Sequence, residues 1–166
     1  MFVNGIPLAV IENKREDLKE PISQAISQHL RNQQSDKIRG LYVYAQVLVS
    51  CAVGSAKYAT NGTPEEFWNT WRNKDIPTSE IEAVKNRPLS DDLIQKIIKP
   101  RSESPFFSRN QADLIVQLLK DTYTLTEQDI LLYSVSSPHR LMDMVRNFIL
   151  YDNGVKKLLA ISNILP

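Results

Sequence analysis

The spacing of apolar residues along this chain changes several times. From Phe2 to Lys14 the segment FVNGIPLAVIENK is nearly unbroken apolar sequence with Asn4-Gly5 inside it. Asn and Gly both tolerate positive φ, so this dipeptide predicts a hairpin turn. Pro7 to Lys14 reads as a strand, with Pro7 at the tolerated first position. Over 20–34 the apolar positions fall at helical spacing (Ile22, Ala25, Ile26, His29, Leu30), and Pro21 suits the first turn. LYVYAQVLVSCAV (41–53) is β-branched towards its end and predicts a buried strand from about Gln46. Gly54-Ser55 turns it into a second short strand over 56–60.

After residue 60 the period becomes helical. Thr63-Pro64-Glu65-Glu66 has the form of a capping box and predicts a short helix carrying Phe67, Trp68 and Trp71. Residues 73–89 are polar with two prolines and read as a loop. Ser90 caps a helix that ends at Lys99-Pro100, Ser108 and Gln111 cap another, and Thr126 and Asp129 open a third. Ser137-Pro138 opens the clearest helix, with Leu141, Met144, Val145 and Phe148 on one face. Gly154 interrupts it, and an apolar segment follows to Pro166. The expected class is α/β (α+β): a mixed sheet with flanking helices in 1–75, then a helical segment over 76–166.

Composition narrows this only a little. The 166 residues and 42% hydrophobic content suit one globular domain, or a core with a helical appendage. Twenty basic and nineteen acidic residues nearly cancel, so net charge does not favour a nucleic-acid partner, although a local patch would serve. A lone cysteine, Cys51, excludes a disulfide within the chain and reads as a buried thiol. With two histidines and one cysteine no zinc cluster is expected. No signal peptide opens the chain and no apolar run reaches ~20 residues, so a cytoplasmic setting without a membrane partner is expected.

The candidate chemistry lies at Glu12-Asn13-Lys14. Alternation along a strand puts Glu12 and Lys14 on one face, with Leu8 and Val10 before them. A carboxylate beside an ammonium at a strand end fits a solvated terminus. It also fits a Mg²⁺ site, where one or two carboxylates hold the ion and a lysine positions water. Such a site needs a second carboxylate. With a short loop at Asn4-Gly5, the position opposite Glu12 falls three or four places before Met1.

FVNGIPLAVIENK resembles the nuclease motif of type I restriction enzyme R subunits, of the PD-(D/E)xK superfamily. The resemblance implies that Glu12 and Lys14 match the family's Glu and Lys, and that its Asp lies just upstream. ISQHLRNQ resembles the next family element, a helix with a Gln followed four places on by Tyr. Gln28 matches the Gln, and Asn32 stands where Tyr is usual. The segments Tyr58 to Pro64, Phe67-Trp68 and SPHRLMDMVRNFILYDNGVKK (137–157) resemble one branch of these subunits, in which the last leads into a motor domain.

What this implies is a hydrolase of restriction systems: a Mg²⁺-dependent endonuclease region, 1–75, followed by a connector, 76–166. Catalysis would rest on Glu12, Lys14 and Gln28. The metal would be held by Glu12 and the Asn13 backbone carbonyl, and DNA by Lys14, Arg15 and Arg31. Partners would be duplex DNA and the methylation and specificity subunits. No GxxxxGK[ST] loop occurs, so ATP binding is expected only in a motor domain further on. Alone, the chain is expected to cut little, for want of the upstream Asp. The alternative is a non-catalytic docking module derived from the nuclease fold. On spacing alone, His29 reads as a packed core histidine, Phe67, Trp68 and Trp71 as a helix face packed on the core, and the other basic residues as a mixed-charge surface.

Overall fold

In the computed structural model, which describes residues 1–72, 76–102 and 108–160, Asn4 and Gly5 take φ values of 50° and 80°. They turn the chain between β1 (Phe2–Val3) and β2 (Ile6–Pro7), with Phe2 opposite Pro7 and Val3 opposite Ile6. The single strand expected over Pro7 to Lys14 is split at Leu8. The Leu8 N–H still bonds back to Met1 O (3.0 Å), but its carbonyl accepts from the Gln46 N–H (2.8 Å). The next five residues, β3 (Ala9–Asn13), therefore enter another sheet.

α1 (Pro21–Asn32) follows with Pro21 in its first turn and buries Ala25, Ile26 and His29. A short α2 (Arg39–Val43) occupies what reads in sequence as the start of a strand. β4 (Val47–Ala52) then pairs parallel with β3, from Ala9 opposite Val47 to Asn13 opposite Cys51. β5 (Ser55–Ala59) returns antiparallel to β4. The sheet order is β3-β4-β5, a mixed sheet as expected. All six residues of β4 are buried, because both faces of the sheet are covered. One face, with Leu48 and Ala59, packs on Ile26, Tyr42 and Trp68. The other, with Ala9, Val47, Val49, Cys51 and Tyr58, packs on Leu131, Val135, Leu141 and Met144.

The capping box expected at Thr63 is not formed. Pro64 has ψ of 154°, Glu65–Phe67 make one 3₁₀ turn, and Trp68 is already extended. Asn69 pairs with Tyr58, and the indoles of Trp68 and Trp71 turn into the core as expected, but Phe67, expected to pack there with them, is exposed, because the helix that would put all three on one face is not formed. Pairing with β5 outcompetes a helix here.

Two compact units emerge: Met1–Pro77 with Thr126–Pro166, and Thr78–Leu125. The smaller is helical. Part of the stretch read as a loop is α3 (Thr78–Lys85), while residues 73–75 lie outside the described residues. α4 (Asp91–Ser102) begins where Ser90 Oγ accepts from the Leu93 N–H, and runs past Pro100 for its last turn, where the Arg101 guanidinium donates to Ile97 O. Proline removes only its own N–H, so a final turn can include it. α5 (Arg109–Lys120) has the Ser108/Gln111 capping box read from its sequence.

α6 (Glu127–Ser136) has the expected Thr126/Asp129 box and belongs to the larger unit. α7 (Pro138–Asp143) is much shorter than the helix expected there. It passes through a π turn, Met144–Phe148, into β6 (Ile149–Asp152) and β7 (Val155–Leu158). These strands form a hairpin with Asp152 opposite Val155. Asn153 and Gly154, at φ 49° and 78°, make the turn. The expectation of helix throughout 76–166 is thus corrected at 149–158: Asn153-Gly154 acts as a hairpin turn, not as an interruption of a helix. The apolar tail expected to run to Pro166 lies, from residue 161, outside the described residues.

Candidate active site

Glu12 lies near the carboxyl end of β3, and Lys14 just beyond it. The Lys14 N–H bonds to Cys51 O (2.8 Å), which extends the strand geometry by one residue and keeps Glu12 and Lys14 on the same face. That face is Val10's, turned towards α1, whereas Ala9 packs on the opposite side of the sheet. Leu8, placed with Val10 by simple alternation, packs with Ala9 instead, because the strand breaks there.

α1 crosses this face and presents Gln28. Lys14 Nζ donates to Glu12 Oε1 at 2.9 Å and to Gln28 Oε1 at 2.5 Å. The Glu12 and Lys14 side chains keep 20% and 19% of their exposure, so the pair is largely shielded yet reachable. Three residues singled out by sequence therefore meet. Asn13 is exposed and opposite Cys51 in register. Arg15 is exposed and pairs with Asp17, and it is not part of this cluster. Arg31, three residues beyond Gln28, lies on the wall of an open groove of ≈ 420 Å³ that also touches Lys14, Ser23, Ser27, Gln28 and Glu65.

Beneath Gln28 is a network that sequence reading reached only in part. His29 is fully buried, as expected of a core histidine. Its Nε2 faces Val49 O at 3.0 Å and its Nδ1 faces the Tyr42 hydroxyl at 3.1 Å. A carbonyl only accepts, so Nε2 carries the proton and, in the neutral ring, Nδ1 accepts from Tyr42. Burial lowers the His29 pKa; the Val49 carbonyl and the Glu12 charge oppose this, and Lys14 adds to it. The imidazole stacks on Trp68, with centroids 5.5 Å apart, and meets Tyr42 edge-on. Burial raises the Tyr42 phenol, partly offset by its hydrogen bond to Asn32. Nothing in LYVY distinguished Tyr42 from its neighbours. Ser23, Ser27 and Glu65 were also missed, although Ser23, Ser27 and Arg31 recur every four residues, the repeat of one helix face. Cys51 is buried in the core and its thiol is pushed up to about 11, which fits an inert side chain.

Glu12 offers a hard oxygen of the kind Mg²⁺ takes. Among the described residues, however, no group of three His, Cys, Asp or Glu side chains could hold a metal ion. Glu12 Oε1 also accepts from the Lys14 ammonium. Among the described residues, no helix is long and apolar enough to cross a membrane.

Residues 1–67, which hold β1 to β5, Glu12, Lys14 and Gln28, match the family described as the type I restriction enzyme R protein N terminus. No curated protein and no solved structure matches the chain significantly.

Proposed function

We infer, from a front segment that carries the N-terminal region of a type I restriction enzyme R protein, that this chain provides the DNA-cleaving region of such an R subunit. The reaction is hydrolysis of phosphodiester bonds in duplex DNA. The observation that carries the inference is the meeting of Glu12, Lys14 and Gln28 around one ammonium.

An ammonium has three N–H donors. Glu12 and Gln28 take two, which aims the third into the groove. There it meets a non-bridging oxygen of a bound phosphate and stabilises the negative charge that builds up as water attacks. Gln28 holds the Lys14 side chain in that rotamer from the opposite side. Glu12, with the Asn13 carbonyl beside it, would hold Mg²⁺, and the ion would supply a water of lowered pKa. Among the described residues no group of three His, Cys, Asp or Glu side chains could hold the ion, so the chain alone is expected to cut little. In the complete enzyme the methylation and specificity subunits bring the DNA, ATP is used in a motor domain, and the assembly works in the cytoplasm.

A second reading is a docking module that keeps the fold without the chemistry. That no group of three His, Cys, Asp or Glu side chains among the described residues could hold a metal ion favours it. Plasmid cleavage by an intact restriction complex containing this R subunit separates the two. On the nuclease reading, Glu12→Ala and Lys14→Ala each lower Mg²⁺-dependent cutting about a hundredfold or more, while ATP hydrolysis persists. Wild-type cutting by both variants, or a wild-type complex that assembles but never cuts, leaves the docking module.

A further inference from the structure

The groove beside Glu12 has a regular wall. Ser23, Ser27 and Arg31 follow one another at every fourth residue of α1, and all three line it. An α-helix rises 1.5 Å per residue, so these side chains are spaced about 6 Å apart along the axis. This is close to the distance between successive phosphates of one nucleic-acid strand. None of the three makes a hydrogen bond or ion pair with another described side chain, so their donors are free. Lys14 also lines the groove, its ammonium bonded to Gln28, the residue after Ser27. On the opposite wall stands Glu65, the one carboxylate of the lining, on the 3₁₀ turn that packs against α1. It too has no partner among the described residues.

Hydroxyl and guanidinium donors at phosphate spacing read backbone, not base sequence. We propose that this groove holds the sugar–phosphate backbone of one DNA strand, with Ser23, Ser27 and Arg31 contacting successive phosphates next to Lys14, and with Glu65 as a charged lip that keeps the hold weak. The proposal rests on the nuclease reading and adds to it where the strand lies and what limits its affinity. A site that must release DNA after each cut gains from such a lip, because Glu65 repels the same phosphates that Arg31 attracts.

The test uses the full 166-residue chain and a fluorescent duplex, in EDTA so that nothing is cut, with anisotropy followed as KCl rises. Arg31→Ala is expected to weaken binding about fivefold and to make the salt slope shallower by about one unit. Ser27→Glu is expected to weaken it further, by like-charge repulsion. Glu65→Gln is expected to tighten binding about threefold at low salt, the sign opposite to that of the other two. Circular dichroism checks that each variant is folded. Affinities within twofold of wild type for all three folded variants would overturn the proposal, as would a wild-type chain that does not bind duplex at 50 mM KCl, a concentration at which phosphate-neutralising contacts still count strongly. Glu12→Ala keeps the two failures apart. If cutting by the intact complex survives Glu12→Ala while Arg31 and Glu65 still govern binding, the groove stands and the nuclease reading falls.

Discussion

His29 connects the candidate site to the core by its two ring nitrogens. Its folded pKa is held below the ordinary 6.5 by burial. An unfolded chain binds that proton near 6.5 and the folded one does not, so the unfolded state takes up protons first as pH falls. The stability contributed by neutral His29 is present above about 6.5 and is lost below it, towards the lowered folded value. The groups facing it set the size of the effect: Glu12 favours the charged ring and Lys14 opposes it. Urea midpoints should fall between pH 7.5 and 5.5, and His29→Gln should flatten that fall; an unchanged fall in the variant would mean that other groups cause it. At this scale the sequence was readable where chemistry is local. Glu12 and Lys14 share a face by simple alternation, and Gln28 came from the family resemblance. The Tyr42 contact was not readable, because it joins α1 to α2 through tertiary packing that no spacing rule reports.

The same dipeptide, Asn-Gly, appears three times and turns a hairpin at two of them, Asn4-Gly5 and Asn153-Gly154. At Asn4-Gly5 the flanking apolar residues made the hairpin legible. At Asn153-Gly154 the preceding Leu141, Met144, Val145 and Phe148 carry helical spacing, and that longer pattern hid the turn. The π turn over Met144–Phe148 is where the period changes. Gly154 sits at φ 78°, so Gly154→Ala should cost about 1 kcal/mol through left-handed strain, read as a lower thermal midpoint. A comparable loss, about 1 kcal/mol, is expected for Thr126→Ala, whose hydroxyl accepts from the Asp129 N–H at the start of α6. Both capping boxes on long helices were legible, because cap and first turn lie within four residues. The Thr63 box failed because Pro64 is extended and Asn69 finds β5. α3, read as loop, shows the opposite error: its polar residues and flanking prolines outweighed the single apolar anchor Ile81.

The family match ends at residue 67, yet the core beneath the matched sheet does not. Val47, Val49, Cys51 and Tyr58 are covered by Leu131, Val135, Leu141 and Met144, with Leu158 from β7. Residues 1–67 expressed alone should therefore remain molten, with weak near-ultraviolet circular dichroism and poor dispersion of amide resonances. A cooperatively folded 1–67 would show that the α1 face suffices. Composition pointed to one domain or a core with an appendage, and periodicity suggested a helical tail. Neither could reveal that residues 126–160 return to the first sheet, since long-range pairing leaves no mark on local spacing. This discontinuity has a consequence for synthesis. A ribosome delivers residues in order, and β4 emerges with one apolar face bare until more than eighty further residues, including all of Thr78–Leu125, have followed. Closing so long a loop is entropically only modestly dearer than closing a short one, about 0.6 kcal/mol per doubling, but it imposes a wait. During that wait the half-covered sheet is open to chaperones and to aggregation.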